Sequence, residues 1–295
     1  MTLDQLRIFV AVAERQHVTR AAEALNIVQS AVSAAVSGLE GRHAVKLFHR
    51  VGRGIELTDA GRIFLREARA VLARAEAAEQ VLADLSGLRR GSLRVHASQT
   101  IASHWLPRRL VAFRAACPEI TVRLAVGHTA DVARAVNEGA AELGFVEGEI
   151  DDPALASTAV AQDRLVLIAP PSHPFAAAGA RTAADLAAHP WVLREAGSGP
   201  RSVFEAALAA AGVPPRDLPV ALELPSNEAV LAAVEAGAGA SVLSEAVVAG
   251  KLAACVRVAA PFPLPTRTVR MLRHRERYCS RAADALLGLI QAGKP

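Results

Sequence analysis

Two sets of short polar side chains in this sequence have types and spacings that could do chemistry. The first lies in QSAVSAAVSGLE, residues 29–40, where Gln29, Ser30, Ser33 and Ser37 recur. At about 100° per residue these four fall within one arc of about 100° on a helix. Such a stripe suits a DNA major groove: Gln pairs with adenine in bidentate fashion, and Ser donates to or accepts from any base edge. The only charge in the segment, Glu40, is negative, so cations must come from elsewhere. Residues 42–53 supply them, with Arg42, Lys46, Arg50 and Arg53 and no acid between. Arg50 and Arg53 are placed to hold phosphates or to enter a minor groove, positioning a helix that specifies. Taken alone, a Ser/Gln stripe reads as a merely solvated helix face; the adjoining basic segment and a heptad seam farther along the chain reverse that reading.

The second set follows a series of apolar strands. It comprises Ser98, Gln99 and Thr100; Gly127, His128 and Thr129; Glu147; REAGSG with Arg194, Gly197 and Ser198; and Ser226 with Asn227. In open α/β folds, ligands lie beyond strand C-termini and beside helix N-termini with free N–H groups. Hydroxyls and amides gathered there suit a small anionic or zwitterionic molecule, with Ser98 and Thr100 foremost. Each also has a plainer reading: a Ser or Thr before a helix can serve only as a cap. Gly197 and Gly199 can serve only a tight turn, and GSG lacks the spacing and Lys of a phosphate loop. Arg194 either meets a carboxylate or oxyanion, or pairs with Glu147 or Glu195. His96, His104 and His128, near Ser98 and Glu147, could compose a hydrolase, but no GxSxG elbow, HExxH helix or metal-spaced cluster accompanies them. No cofactor or metal is implied.

The elements that must position these residues can be read from periodicity. Thr2 and Gln5 form a capping box for a helix burying Leu3, Leu6, Phe9, Val10 and Ala13. A second helix from about Val18 to Leu25 and the break at NIV lead into the polar stripe, so helix–turn–helix is the outline. Val28, Ala31, Val32, Ala35, Val36 and Leu39 compose its apolar face. The VGRG turn between short apolar runs reads as a β-hairpin wing. Thr58 caps a helix of about 28 residues, about 42 Å long. Phe64, Ala68, Val71, Ala75, Ala78, Leu82 and Leu85 recur along it as a heptad seam, which either covers its counterpart in a second copy or packs on its own domain. SGLRRGS, residues 86–92, reads as a linker. Beyond it, short strands alternate with amphipathic helices in two α/β lobes with mostly parallel sheets, and RTVRMLRHR with the last helix returns to the first lobe.

Composition narrows the class. With 52% apolar and 21% charged residues over 295, the chain is globular, and its net charge of +4 is too small by itself to announce a nucleic-acid partner. Three scattered cysteines, Cys117, Cys255 and Cys279, signal neither a disulfide framework nor zinc and fit the cytoplasm. The N-terminus carries Asp4 and Glu14 through its apolar stretch, unlike a secretory signal, which argues against a transport binding protein. No membrane-length apolar run is present.

LRIFVAVAE, AAEALN, QSAVS, LEG, KLFHR and LTDAGR follow one another with the order and spacing of the LysR-type transcriptional regulators, which the first 90 residues resemble. The resemblance continues to the C-terminus and implies the whole plan. Residues 1–58 would be an all-α-type winged helix-turn-helix and 59–90 a linker and dimerisation helix. Residues 91–295 would be a two-lobed α/β, periplasmic-binding-protein-like effector domain, with lobe one at 91–161 and 266–295 and lobe two at 162–265. It further implies a homotetramer on double-stranded promoter DNA, assembled as a dimer of dimers, activation with RNA polymerase as a partner, and a small-molecule effector. REAGSG with Arg201, SNEAV and VEG look most like the relatives that control sulfur assimilation or carbon fixation. Six positions depart from the pattern, among them Ala34, Ser37 and Gly38, which replace more polar or basic choices. His17 and Val28 replace the usual Ser or Thr caps, each worth about 1 kcal/mol. Pro200 replaces a common Thr, removing a hydroxyl and an N–H.

Overall fold

The computed structural model describes residues 1–52, 54–85, 91–178, 182–249 and 255–293. Arg53 and linker residues 86–90 lie outside them. The chain divides into two compact units, one built on Met1–Leu88 and one on Arg89–Val136 with Ala141–Pro295.

The first unit holds helices α1 (Leu3–Arg15), α2 (Val18–Leu25) and α3 (Gln29–His43), strands β1 (Phe48–Val51) and β2 (Gly54–Leu57), and α4 (Asp59–Leu85). The Thr2–Gln5 capping box is present. Phe9 is fully buried, its ring 5.4 Å from Phe48 and 4.9 Å from Phe64, so one aromatic joins α1 to the wing and to α4. β1 and β2 pair antiparallel from Phe48↔Leu57 to Val51↔Gly54, and Gly52 takes the positive φ of 58° that a two-residue hairpin turn requires. Thr58 Oγ1 accepts from the Gly61 N–H at 2.9 Å and so caps α4. A Cβ at position 61 would lie 2.1 Å from the Leu47 carbonyl oxygen, so only glycine lets the wing and α4 approach this closely.

Three sequence readings in this unit need correction. His17 does cap α2, its Nδ1 accepting from the Arg20 N–H at a long 3.5 Å, whereas Val28 leaves α3 without a side-chain cap. Val28 and Ala31 are exposed, leaving Val32 and Leu39, with Ala35 and Val36 half-buried, as the apolar face of α3. The α4 seam is not continuous. Phe64 and Ala68 pack into the core of their own unit with Leu6, Phe9 and Leu47, because the first turns of α4 lie against α1. Val71, Ala78, Leu82 and Leu85 are exposed and Ala75 is half-buried.

The second unit begins with β3 (Gly91–Ala97), a π-helical turn at Ile101–Trp105 and α5 (Leu106–Ala116), then β4 (Ile120–Val126), α6 (Thr129–Glu138), β5 (Leu143–Glu147) and β6 (Leu155–Ala169). There follow α7 (Pro174–Ala178), α8 (Ala183–Ala187), β7 (Trp191–Arg194), α9 (Gly199–Ala210), β8 (Val220–Leu224), α10 (Asn227–Glu235), β9 (Ser241–Ser244), α11 (Glu245–Val248), β10 (Val256–Val258), β11 (Thr266–His274) and α12 (Arg281–Ala292). β3 lies between β4 and β5, parallel to both, and β7 is parallel to β8. The expectation of mostly parallel sheets does not hold. β11 runs antiparallel to β5 and β6, and β6 runs antiparallel to β9 and β10. The 15-residue β6 is the reason: it passes from the first lobe to the second as one uninterrupted strand, and β11 returns beside it. Separate cores form on either side. Phe113, Phe145 and Leu286 lie in the first; Trp191, Phe204 and Leu167 lie in the second.

Candidate nucleic-acid interface and effector cleft

Gln29, Ser30, Ser33 and Ser37 are all exposed along α3, and Arg50 is exposed on the wing. The buried Glu40 anchors that arrangement. Its Oε1 accepts from the backbone N–H of Leu47 at 2.8 Å and of Phe48 at 3.2 Å, while Lys46 Nζ lies 2.6 Å from Oε2. Burial alone would raise this carboxyl, but the hydrogen bonds from Lys46, Leu47 and Phe48 outweigh it and hold the pKa below the ordinary carboxylate value. The acid that looked out of place beside a polyanion is therefore structural, fixing the end of α3 to the start of the wing. Lys46 is spent on Glu40 and joins the positive surface only in part.

In the second unit, strand ends from both lobes face one cleft of about 190 Å³. The C-terminus of β3 delivers Ser98, Gln99 and Thr100; that of β4, His128 and Thr129; that of β5, Glu147; and that of β7, Arg194 and, through a turn, Ser198. Val126, Pro200 and Pro225 add apolar surface. β3 is the switch point of its sheet, with neighbours on both sides, which opens a crevice at its carboxyl end.

Most of the candidate groups already have partners. Ser98 donates a short hydrogen bond to Glu147, whose other oxygen faces Arg267 Nη2 at 3.4 Å. Arg194 donates through Nε and Nη2 to Glu195 at 2.8 and 2.6 Å and through Nη1 to Asn227 Oδ1 at 2.7 Å. Of the two readings of Arg194, the internal ion pair with Glu195 is the one realised. Burial would raise the Glu195 carboxyl, and the hydrogen bonds from Arg194 outweigh it and hold it low. Asn227, fully buried, donates to Thr100 Oγ1 at 3.1 Å and to Gln99 Oε1 at 3.4 Å, so it braces one lobe against the other rather than lining the cleft. His104 and Gln99 approach Glu228, and His128 Nε2 lies 3.8 Å from Glu195 across the same opening.

Two candidates prove structural. Ser226 Oγ accepts from the Ala229 N–H and caps α10, and Gly197 has a φ of 85°, serving the turn. Neither lines the cleft. Ser198 behaves differently: it is buried, its side chain does not cap α9, and its Oγ has no hydrogen-bond partner among the described residues. Sequence reasoning missed Arg267, a buried cation on β11 shared by Glu147 and Asp163. Only its place opposite β5 and β6 reveals it, since nothing near it in sequence marks it.

Residues 3–62 match the family described as bacterial regulatory helix-turn-helix protein, lysR family, and residues 86–294 match the LysR substrate binding domain. The chain is 36% identical over 289 residues to an Escherichia coli protein named uncharacterized HTH-type transcriptional regulator YeiE, covering 97% of this chain and 96% of that one. It is 34% identical to a probable RuBisCO transcriptional regulator of Trichormus variabilis over 96% of this chain and 86% of the relative, which agrees with the carbon-fixation side of the sequence resemblance. In fold it is similar to full-length CbnR complexed with its target DNA, with a TM-score of 0.74, 24% identity and 100% of both chains covered. The Synechocystis CcmR regulatory domain in complex with 2-PG gives a TM-score of 0.63 at 24% identity, covering 69% of this chain and 97% of that domain. These matches set aside the hydrolase and transport-protein alternatives. The chain belongs to the LysR family: it is a DNA-binding transcription regulator with a helix-turn-helix and a two-lobed effector-binding domain, not an enzyme.

Proposed function

We propose that α3 reads double-stranded promoter DNA through Gln29, Ser30, Ser33 and Ser37 while Arg50 and Arg53 hold the backbone. A small anionic or zwitterionic metabolite in the cleft, among Ser98, Gln99, Thr100, His128, Thr129, Glu147, Arg194 and Ser198, changes the DNA-bound state. The observation that carries this reading is the exposed polar stripe of α3 beside a wing pinned by Glu40, in the same chain as a cleft where strand ends of two lobes converge. The domain plan is 1–58, 59–90 and 91–295. The exposed half of the α4 seam, from Val71 to Leu85, supports self-association, in our reading as a dimer of dimers. We assign the protein to the cytoplasm and to activation, with RNA polymerase as partner. A CcmR domain that binds 2-PG supports an anionic effector here.

The test is an electrophoretic shift against the DNA upstream of its own gene, over a salt series and with a panel of small anions. Binding that falls steeply with salt and shifts with one anion is expected. Absent or salt-independent binding would refute the reading.

A further inference from the structure

Among the described residues of the first unit, α1, α2 and α4 begin under side-chain caps, from Thr2, His17 and Thr58. The groove helix α3 does not: it begins at Val28, whose side chain offers the first N–H groups no acceptor. Nor is Val28 used in packing. It is 68% exposed, Ile27 before it is 38% exposed, and Ala31, three residues on and so its neighbour on the helix surface, is exposed too.

The backbone fixes Val28 in this place. Asn26 takes a positive φ of 53° and the Ile27 N–H donates to the Ala22 carbonyl at 3.0 Å, which closes α2. The Val28 carbonyl then accepts from the Ala31 N–H at 3.0 Å, which opens α3. In helix-turn-helix docking the N-terminal residues of the second helix are the ones that reach base edges. Gln29 brings a donor and an acceptor to that position, whereas Val28 brings neither. On the major-groove edges of the four bases the one apolar group is the 5-methyl of thymine. Against adenine, guanine or cytosine, Val28 would strip water from a polar edge and return no hydrogen bond.

We infer that Val28 reads a thymine through its 5-methyl group, in the same groove as the base edge taken by Gln29. This rests on reading α3 as the groove helix and deepens it by naming the base that its uncapped first residue selects. Consecutive Cα atoms are about 3.8 Å apart and stacked base pairs about 3.4 Å, so that thymine lies about one base step from the pair read by Gln29. The contact carries no charge, and so its preference for thymine does not change with salt.

Fluorescence anisotropy of the full chain compares its upstream promoter fragment with the same fragment carrying uracil for thymine, which lacks only the methyl groups. A buried methyl group is worth about fourfold in affinity, so the wild type should bind the uracil fragment at least about fourfold more weakly at every salt concentration. Val28→Ser removes the methyl groups and can cap α3; it should cut the thymine-to-uracil ratio by about fourfold and raise the thermal midpoint. Val28→Thr keeps a methyl group and gains the cap, and should keep the thymine preference that serine loses. A ratio that is the same in the wild type and Val28→Ser overturns the contact, because the methyl groups then act through the duplex alone. A lower thermal midpoint in Val28→Ser, which would place Val28 in the core, or a lower sedimenting mass, which would place it against a second copy, overturns it as well. A wild type that does not prefer the promoter to a scrambled fragment refutes the reading of α3 itself. That preference present with equal ratios refutes the Val28 contact alone.

Discussion

Replacing Glu40 with alanine should release the wing from α3. The side chain accepts from two backbone N–H groups, of Leu47 and Phe48, that have been withdrawn from water. A hydrogen bond to a charged group contributes about 1.5–3 kcal/mol, so taking the lower figure twice gives about 3 kcal/mol. At about 1.4 kcal/mol per decade that is about a hundredfold rise in the fraction of time this region is open. Lys46 contributes little of it, since its side chain is 80% exposed, and an exposed ion pair is worth at most about 1 kcal/mol. Amide exchange of Leu47 and Phe48 in the full chain reads the difference directly. Glu40→Ala should lose about two decades of protection and Lys46→Ala at most one. The pH dependence has a definite sign. A carboxyl held below its ordinary value stabilises the fold above the unfolded pKa of 4.5 and ceases to as pH falls through the folded value, so wild-type protection should decline only in acid. Equal damage from the two substitutions, or unchanged protection in Glu40→Ala, would refute the anchoring role.

Further outcomes can be checked on the same protein. His173 is buried against Phe175 and His189, and burial first, then the neighbouring His189, lowers its pKa below 6.5. Its neutral form therefore stabilises the second lobe fully above about pH 6.5 and progressively less below it, and His173→Gln should flatten the fall of urea midpoint between about pH 7 and 5. The Cys279 thiol, half-buried and donating to Asp284, is pushed up to about 12 by desolvation and by that carboxylate and should resist iodoacetamide at about pH 8, as mass spectrometry of the native protein would show. Leu82 is 68% exposed on α4, so Leu82→Glu should leave the single chain folded but reduce its sedimenting mass if the seam joins copies.

What the sequence disclosed depended on how local the cause was. The capping box at Thr2, the hairpin at VGRG and the cap at Thr58 each join residues a few positions apart, and each formed as expected. Periodicity also placed the polar stripe of α3 correctly. It could not say that α1 covers the first turns of α4, so Phe64 and Ala68 fit the heptad spacing and yet face their own core. Nor could it show that β6 runs from one lobe into the other with β11 antiparallel beside its first part, which makes the sheets mixed rather than mostly parallel. In the cleft, residue types located the strand ends but not their occupancy. That Ser226 caps its helix and Ser198 does not turns on one hydroxyl direction, and Arg267 reaches Asp163 from 104 positions away.

The most direct test of the central claim is fluorescence anisotropy of the full chain on its upstream promoter fragment and on a scrambled fragment, across a salt series. If α3 reads and the wing holds, Gln29→Ala should bring the two affinities together by about 1–3 kcal/mol, leaving the salt slope intact. Arg50→Ala should weaken both equally and reduce the slope by about one. Equal affinity of the wild-type chain for both fragments, or a Gln29→Ala variant that discriminates as well as the parent, would contradict the account.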